Sequence, residues 1–224
     1  MNIKIIAISI VAIVGFLFVS YSAFNKPETV TFDGVSELRT PEQASAAGTL
    51  VDRAKGSGPN VMVEYSDLQC PACKSFHEYI EQEKTNDAEF ARIMSEEYTV
   101  VFRHFPLVSI HRNAQLAAQA AEAAGAQDAF FPFIDSAFAR QQEWGNSATA
   151  RDVFIEIAQE LELDVEQFST DIDSPAVKAK VESDLSTALS MGLNSTPTFF
   201  INDQKIGGFG SFEDFKAIIV QSAQ

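Results

Sequence analysis

Only two of the 224 residues are cysteines, and both fall in the stretch "EYSDLQCPACKSFH", Glu64 to His77. They stand three apart, with a proline directly after the first. A Cys-x-x-Cys spacing can be half of a zinc site, a reversible dithiol or a structural staple. A staple gains little here, because a disulfide across so short a loop hardly restrains the unfolded chain. A zinc site would need partners; His77 offers a third ligand and no fourth is evident. The redox use has its own physical logic. If Cys70 ends a strand and opens a helix, its sulfur meets unpaired N–H groups and the positive end of the dipole, both of which stabilise a thiolate. Pro71 suits the first helical turn, and Cys73 lies one turn on along the same face. That geometry predicts an exposed, low-pKa thiolate at Cys70 and a more buried partner at Cys73.

The flanking segments supply the elements such a site needs. "VMVEYS" (61–66) is short and rich in β-branched and aromatic residues, which predicts a buried strand running into the cysteines. "CKSFHEYIEQE" has helical composition with no breaker, and a second strand is expected at Tyr98–Phe105. An alanine-rich helix follows over His111–Gly125, closed by its glycine. Further helical patterns come next, with Asp128, Ser147 and Ser174-Pro175 as start signals. Strands return at Thr196–Asn202 and in "KIGG" after a turn at Asp203-Gln204, and an amphipathic helix is expected from Ser211 to Val220. The order is β, α, β, a helical block of some eighty residues, then β, β, α. The aromatic cluster Phe130, Phe131, Phe133 and Phe138, with Trp144, reads as helix packing. His104 is expected near a sheet edge, and His111 at a helix start.

The composition bounds the partners. A net charge of -15 leaves nothing to neutralise a run of phosphates, so nucleic acid is excluded. Ile5 to Phe24 carry no charge over twenty residues, long enough as a helix to span a bilayer. The expectation is therefore a transmembrane signal-anchor at residues 1–24, or else a cleaved signal peptide. A polar tether over 25–58, with a little helix near Pro41–Lys55, leads into a domain at 59–224 with its helical insertion at about 109–192. The expected location is the cell membrane, single-pass, with the domain extracytoplasmic, or secreted or periplasmic after cleavage.

"VEYSDLQCPACKSFH", the return "STPTFFINDQKIGG" and the helical block between them resemble the DsbA family of thioredoxin-fold thiol-disulfide oxidoreductases. "RHFPL" and "HRNAQLAAQAAEAAG" are similar to that family as well. The resemblance covers about Val61 to Ala223. It implies an α/β fold: a thioredoxin fold with a helical domain inserted between the second strand and the cis-proline strand. It also implies roles. Cys70 would be the nucleophile and Cys73 the resolving cysteine. Thr196 and Pro197 would form the cis-proline pair facing them, and with Pro71 and Ala72 would meet substrate. Glu64, six before the first cysteine, matches a buried acid that would exchange a proton with Cys73. Pro71-Ala72 stands where the best-known DsbA proteins have Pro-His, which implies a less oxidising couple.

The function expected on this basis is an exported dithiol oxidase acting on cysteine-containing exported proteins. No non-protein cofactor and no metal is implied, and a membrane redox partner would restore the pair. The same residues also run as a reductase or isomerase. A reading from another class remains, a tethered peptide-binding or chaperone module whose cysteines do no chemistry.

Overall fold

A computed structural model describes residues 52–206 and 210–224, and among these five strands form one sheet. They are β1 (Arg53–Gly56), β2 (Asn60–Ser66), β3 (Tyr98–His104), β4 (Thr198–Ile201) and β5 (Gln204–Ile206), in the spatial order β1-β3-β2-β4-β5. β2 and β3 are parallel, Asn60 beside Tyr98 through Ser66 beside His104, and the other pairs are antiparallel. β2 is central because both of its faces are apolar enough to be covered. Its last residue therefore delivers the cysteine segment to the middle of the sheet, outside the carboxyl ends of the parallel strands.

After β2 come α1 (Pro71–Asn86) and α2 (Ala88–Arg92), with a single π-helical turn, Ile93–Glu97, leading into β3. Asp87 ends α1 and caps α2, its carboxylate accepting from the N–H groups of Glu89 and Phe90. Between β3 and β4 lie α3 (Ala114–Gly125), α4 (Phe130–Ala139), α5 (Gln141–Trp144), α6 (Ala150–Glu160), α7 (Val165–Asp171) and α8 (Pro175–Ser190). A last helix, α9 (Phe212–Ser222), follows β5. This is the expected thioredoxin arrangement with helices inserted before the cis-proline strand.

Three apolar clusters hold the elements. Met62 and Phe199 of the sheet pack with Phe76 and Ile80 of α1 and with Phe215 and Ile219 of α9. On the opposite face Val63, Tyr65, Val101 and Phe200 meet Ala188 and Leu193. The insertion has its own core of Phe133, Phe138, Trp144, Phe154 and Phe168, and this core includes both cysteines. Each such aromatic contributes about 1.5–3 kcal/mol on burial. The four phenylalanines and Trp144 read as packing are in this core or against it.

Several local expectations are corrected. Arg53–Gly56, expected within the tether, pairs with β3 as an edge strand. Asp128 does not cap α4; it sits at φ 61, and Ala129 precedes the helix without a side-chain cap. Ser147 accepts from the N–H of Thr149 rather than capping α6, which starts at Ala150. Ser174 and Ser211 do cap, accepting from Val177 N at 3.2 Å and Asp214 N at 3.1 Å. The β4–β5 turn is Asn202-Asp203, at φ 46 and 68, the positive values that a tight two-residue hairpin demands.

The membrane anchor and the single-pass location drawn from it are corrected too. Residues 5–24 lie outside the described residues. Among those described, no helix is long and apolar enough to cross a membrane. The physical reason is length and charge: α1 and α8, at 16 residues, reach about 24 Å against a hydrocarbon core of about 30 Å, and both carry charged side chains.

Candidate active site

Cys70 is the residue that caps α1. Its backbone is extended (φ -71, ψ 124), its carbonyl already accepts from Lys74 N at 3.1 Å, and Pro71 occupies the first helical position. The Cys70 N–H donates back to the Asp67 carbonyl at 3.0 Å, so the segment 67–70 is a closed turn. Cys73, one helical turn deeper, is fully buried. Both are free thiols. Thr196-Pro197 is a cis peptide, and Cys70 Sγ lies 3.6 Å from the Thr196 carbonyl oxygen. The exposed side chains of Pro71 and Ala72 flank it on the solvent side.

One expectation about Cys70 is corrected. It is only 7% exposed, because the Thr196-Pro197 segment and the insertion close over it. The thiolate is nevertheless strongly favoured. Hydrogen bonding from the Cys73 side chain works against the cost of burial, with help from Thr196 and the N–H groups of Cys73 and Ala72. Together they hold the Cys70 thiol down to about 5. Cys73 moves the other way: burial first, then its bond to Cys70 and the charge beside it, push it well above the ordinary range. The two sulfurs share one environment and divide it into a good leaving group and a protonated partner.

Glu64 sits on the face of β2 that α1 covers, two residues along from Met62 and between Phe102 of β3 and Phe199 of β4. Burial raises its carboxyl, with Ser66, His77 and Lys55 pulling it back in part. It is also close enough to Cys73 for its charge to raise that thiol. The structure thus brings together Glu64, Cys70, Cys73, Thr196 and Pro197, with Pro71 and Ala72 at the rim. His77, weighed as a zinc ligand, is bonded through Nε2 to Asp135 Oδ1 at 3.1 Å. Among the described residues no group of three or more His, Cys, Asp or Glu is arranged to hold a metal ion.

A buried polar frame went unread in the sequence. The Asp67 carboxylate accepts from Gln69 N (2.7 Å), Leu107 N (2.9 Å) and His111 Nδ1 (2.7 Å), tying the cysteine turn to the loop after β3. His111 is therefore a loop tie, not a helix start. Gln141 Nε2 donates to the carbonyls of Leu68 (2.8 Å) and Cys70 (3.2 Å). Gln69 donates to the Gly145 carbonyl and accepts from Asn113 N, whose own side chain donates to the carbonyls of Trp144, Gly145 and Ser147. His104 is not at a sheet edge but buried at the end of β3, 3.1 Å from Glu122. Glu122 also meets Arg53 Nε at 2.8 Å. Burial raises the Glu122 carboxyl, but the His104 bond and the charges of Lys180, His104 and Arg53 outweigh it and hold it at about 2. Polar residues at regular helical spacing gave no signal of these contacts, since each partner is remote in sequence.

Comparison with known proteins places this geometry. The family model described as Thioredoxin (Thioredoxin_4) matches residues 54–221. A solved structure of alpha-DsbA1 from Wolbachia pipientis, with two cysteines replaced by alanine, is 25% identical with a TM-score of 0.64. It covers 77% of this chain and 90% of that one. Oxidised BdbD from Bacillus subtilis is 22% identical with a TM-score of 0.65, covering 77% and 92%, and shows the shared fold. Among curated proteins, a Na(+)/H(+) antiporter NhaA of Herminiimonas arsenicoxydans is 37% identical over 148 residues, 66% of this chain and 21% of the antiporter. An NhaA 3 of Salinispora tropica is 30% identical over 196 residues, 85% of this chain and 27% of its own length. The chain thus spans only about a fifth to a quarter of these relatives. Their names describe ion antiporters, and none supports the signal-anchor expected at residues 5–24.

Proposed function

The chain belongs to the thioredoxin family whose model spans it from residue 54 to 221, as a DsbA-like member, and on that premise we propose that it is a thiol-disulfide oxidoreductase working as a dithiol oxidase. The observation that carries this reading is the pair itself: Cys70 capping α1 with its thiolate favoured, and Cys73 buried one turn behind it.

In the oxidising direction the pair begins as a disulfide. A substrate thiolate attacks Cys70 Sγ; the Cys70–Cys73 bond breaks, and its electron pair goes to Cys73. Buried Cys73 cannot stay charged at low cost, so it takes a proton from Glu64. The second substrate thiolate then attacks the substrate sulfur of the mixed disulfide, and Cys70 departs as a stabilised thiolate. The substrate has lost two electrons and two protons. Water takes both substrate protons and returns one to Glu64, so the pair holds both electrons and one proton while the other proton stays in water. A redox partner must then take the two electrons to restore the disulfide.

The substrates are cysteine-containing proteins of an oxidising compartment, where a new disulfide persists. Thr196 supports their positioning, since its backbone beside Cys70 offers an extended peptide a main-chain partner. With Ala72 in place of a histidine, the couple is less oxidising than that of the Pro-His subgroup.

The test is equilibration of the pair against glutathione buffers. A couple clearly more oxidising than glutathione is the expected result. One as reducing as thioredoxin would turn the assignment to a reductase. A folded domain that exchanges with neither form of glutathione would sink the enzyme reading in favour of a peptide-binding module.

A further inference from the structure

Three uncharged amide side chains, those of Gln69, Asn113 and Gln141, are buried where the cysteine turn meets the insertion. Gln141, the first residue of α5, donates from Nε2 to the carbonyls of Leu68 at 2.8 Å and Cys70 at 3.2 Å, so one nitrogen holds both ends of the Gln69-Cys70 pair. Gln69 reaches back the other way: its Nε2 donates to the Gly145 carbonyl at 2.6 Å, and its Oε1 accepts from Asn113 N at 2.8 Å. The Gly145 N–H donates to the Gln141 carbonyl at 2.8 Å and closes the ring. A Cβ at Gly145 would lie 2.8 Å from that carbonyl oxygen, so any side chain there would push the ring open.

Buried amides add little stability over apolar groups of the same shape; a fully bonded network supplies one defined arrangement instead. What this ring defines is the backbone of Cys70. That backbone is extended (φ -71, ψ 124) where it opens α1, and no side chain caps the helix, which leaves the N–H groups of Ala72 and Cys73 to the Cys70 sulfur. Within the turn, the Asp67 carbonyl holds the Cys70 N–H at 3.0 Å. On the carbonyl side, Gln141 supplies the tie from outside α1.

We propose that Gln141 is a positioning residue for thiol-disulfide exchange: by holding the Leu68 and Cys70 carbonyls, it keeps the first N–H groups of α1 aimed at Cys70 Sγ. The inference rests on the thiol-disulfide reading above and adds a residue to it. The insertion then does more than close over the site. Through α5 it sets how well the reduced pair is stabilised, and a reduced form held less well makes a less oxidising couple.

The experiment compares the wild-type chain with Gln141→Met, which keeps the volume and removes both N–H bonds. It reads the thiolate absorbance of the reduced protein across pH and the equilibrium with glutathione at neutral pH. The expected result is a Cys70 midpoint about one pH unit above the wild-type value near 5, with the equilibrium shifted about tenfold toward the disulfide. Phe168→Leu, a change in the insertion core that breaks none of these bonds, should cost stability and move neither readout. A folded Gln141→Met with midpoint and equilibrium unchanged would overturn the proposal and leave Gln141 a structural amide. Equal shifts in Phe168→Leu would overturn it as well, since any loosening of the insertion would then do the same. If Gln141→Met does not fold, Gln141→Asn, which draws the amide back by one methylene, must raise the midpoint, and an unmoved value there sinks the idea. A wild-type protein that exchanges with neither form of glutathione would instead remove the exchange reading, while the titration still decides whether Gln141 positions Cys70.

Discussion

Cys70 Sγ and the carbonyl oxygen of Thr196 lie 3.6 Å apart although 126 residues separate them in the chain. The contact joins the helix that activates the sulfur to the strand that can present a substrate backbone to it. A carbonyl oxygen only accepts, so the thiolate that keeps the nearly enclosed Cys70 reactive is not stabilised by this contact. Its stabilisation comes from specific donors, the Cys73 thiol first, rather than from open water.

The Cys70 thiolate should therefore persist far below the ordinary thiol range. Absorbance near 240 nm in the reduced protein should titrate with a midpoint near pH 5 and vanish in Cys70→Ala. The sign of the linkage follows. A depressed acid stabilises the folded reduced form fully above the unfolded thiol pKa, and that gain is lost as pH falls through about 5. Between that pH and the raised range of Cys73, reduction takes up two electrons and one proton. The potential should fall by about 30 mV per pH unit there, steepening to about 59 mV below it. A single slope through pH 5 would contradict the assignment.

Much of this was legible in the sequence because it depends on local rules. The strand at 60–66, the proline at the helix start and the Cys-x-x-Cys spacing each signal themselves within a few residues. The Thr-Pro partner became legible only through family resemblance, since nothing in "STPTFF" points across the chain to Cys70. The ties made by Asp67, Gln141 and Glu122 left no trace, because a lone polar residue amid alanines looks the same whether it faces water or a buried arginine. Asp128 misled for a related reason: an Asp before a helix is a good cap only in extended backbone, and here the chain takes a left-handed turn first.

The division of labour between the cysteines gives a second prediction. Cys73→Ala should accumulate mixed disulfides between Cys70 and substrate thiols, visible as mass adducts removed by reductant. Cys70→Ala should form none and lose all exchange, since Cys73 is buried and its thiol is raised. Adducts at Cys73 in Cys70→Ala would reverse the two roles.

Glu64 gives a third. Its carboxyl is raised by burial, so the folded protein binds a proton more tightly than the unfolded chain does. Wild-type stability should then decline as pH rises from the ordinary carboxylate pKa through the raised value. Glu64→Gln should remove that decline and be the more stable form at neutral pH, while slowing reduction of the disulfide. Denaturant melts at a series of pH values read the first effect, and single-turnover rates the second. A variant less stable than wild type at neutral pH would mean that the carboxylate is satisfied rather than strained.

The fourth concerns the frame behind the site. Glu122 is 2% exposed and gathers Arg53 from β1, His104 from β3 and Lys180 from α8 around one carboxylate on α3. Taking it away leaves part-buried Arg53 without its anion and the His104 imidazole without its partner, and breaking a buried pair costs about 3–5 kcal/mol. Glu122→Ala should lose stability on that scale. Glu122→Gln keeps the volume and some hydrogen bonds, and should lose less. Because Asp184 still holds Lys180 at 2.6 Å, the damage should centre on the β1–α3 contact, where Arg53 also donates to the Gly125 carbonyl at 3.0 Å. Hydrogen exchange should then show β1 opening ahead of the central strands. The Cys70 titration should stay near pH 5, since its stabilising donors lie in α1 and at Thr196. A loss below about 1 kcal/mol in Glu122→Ala, the scale of a surface pair, would show that the network carries little of the fold's stability.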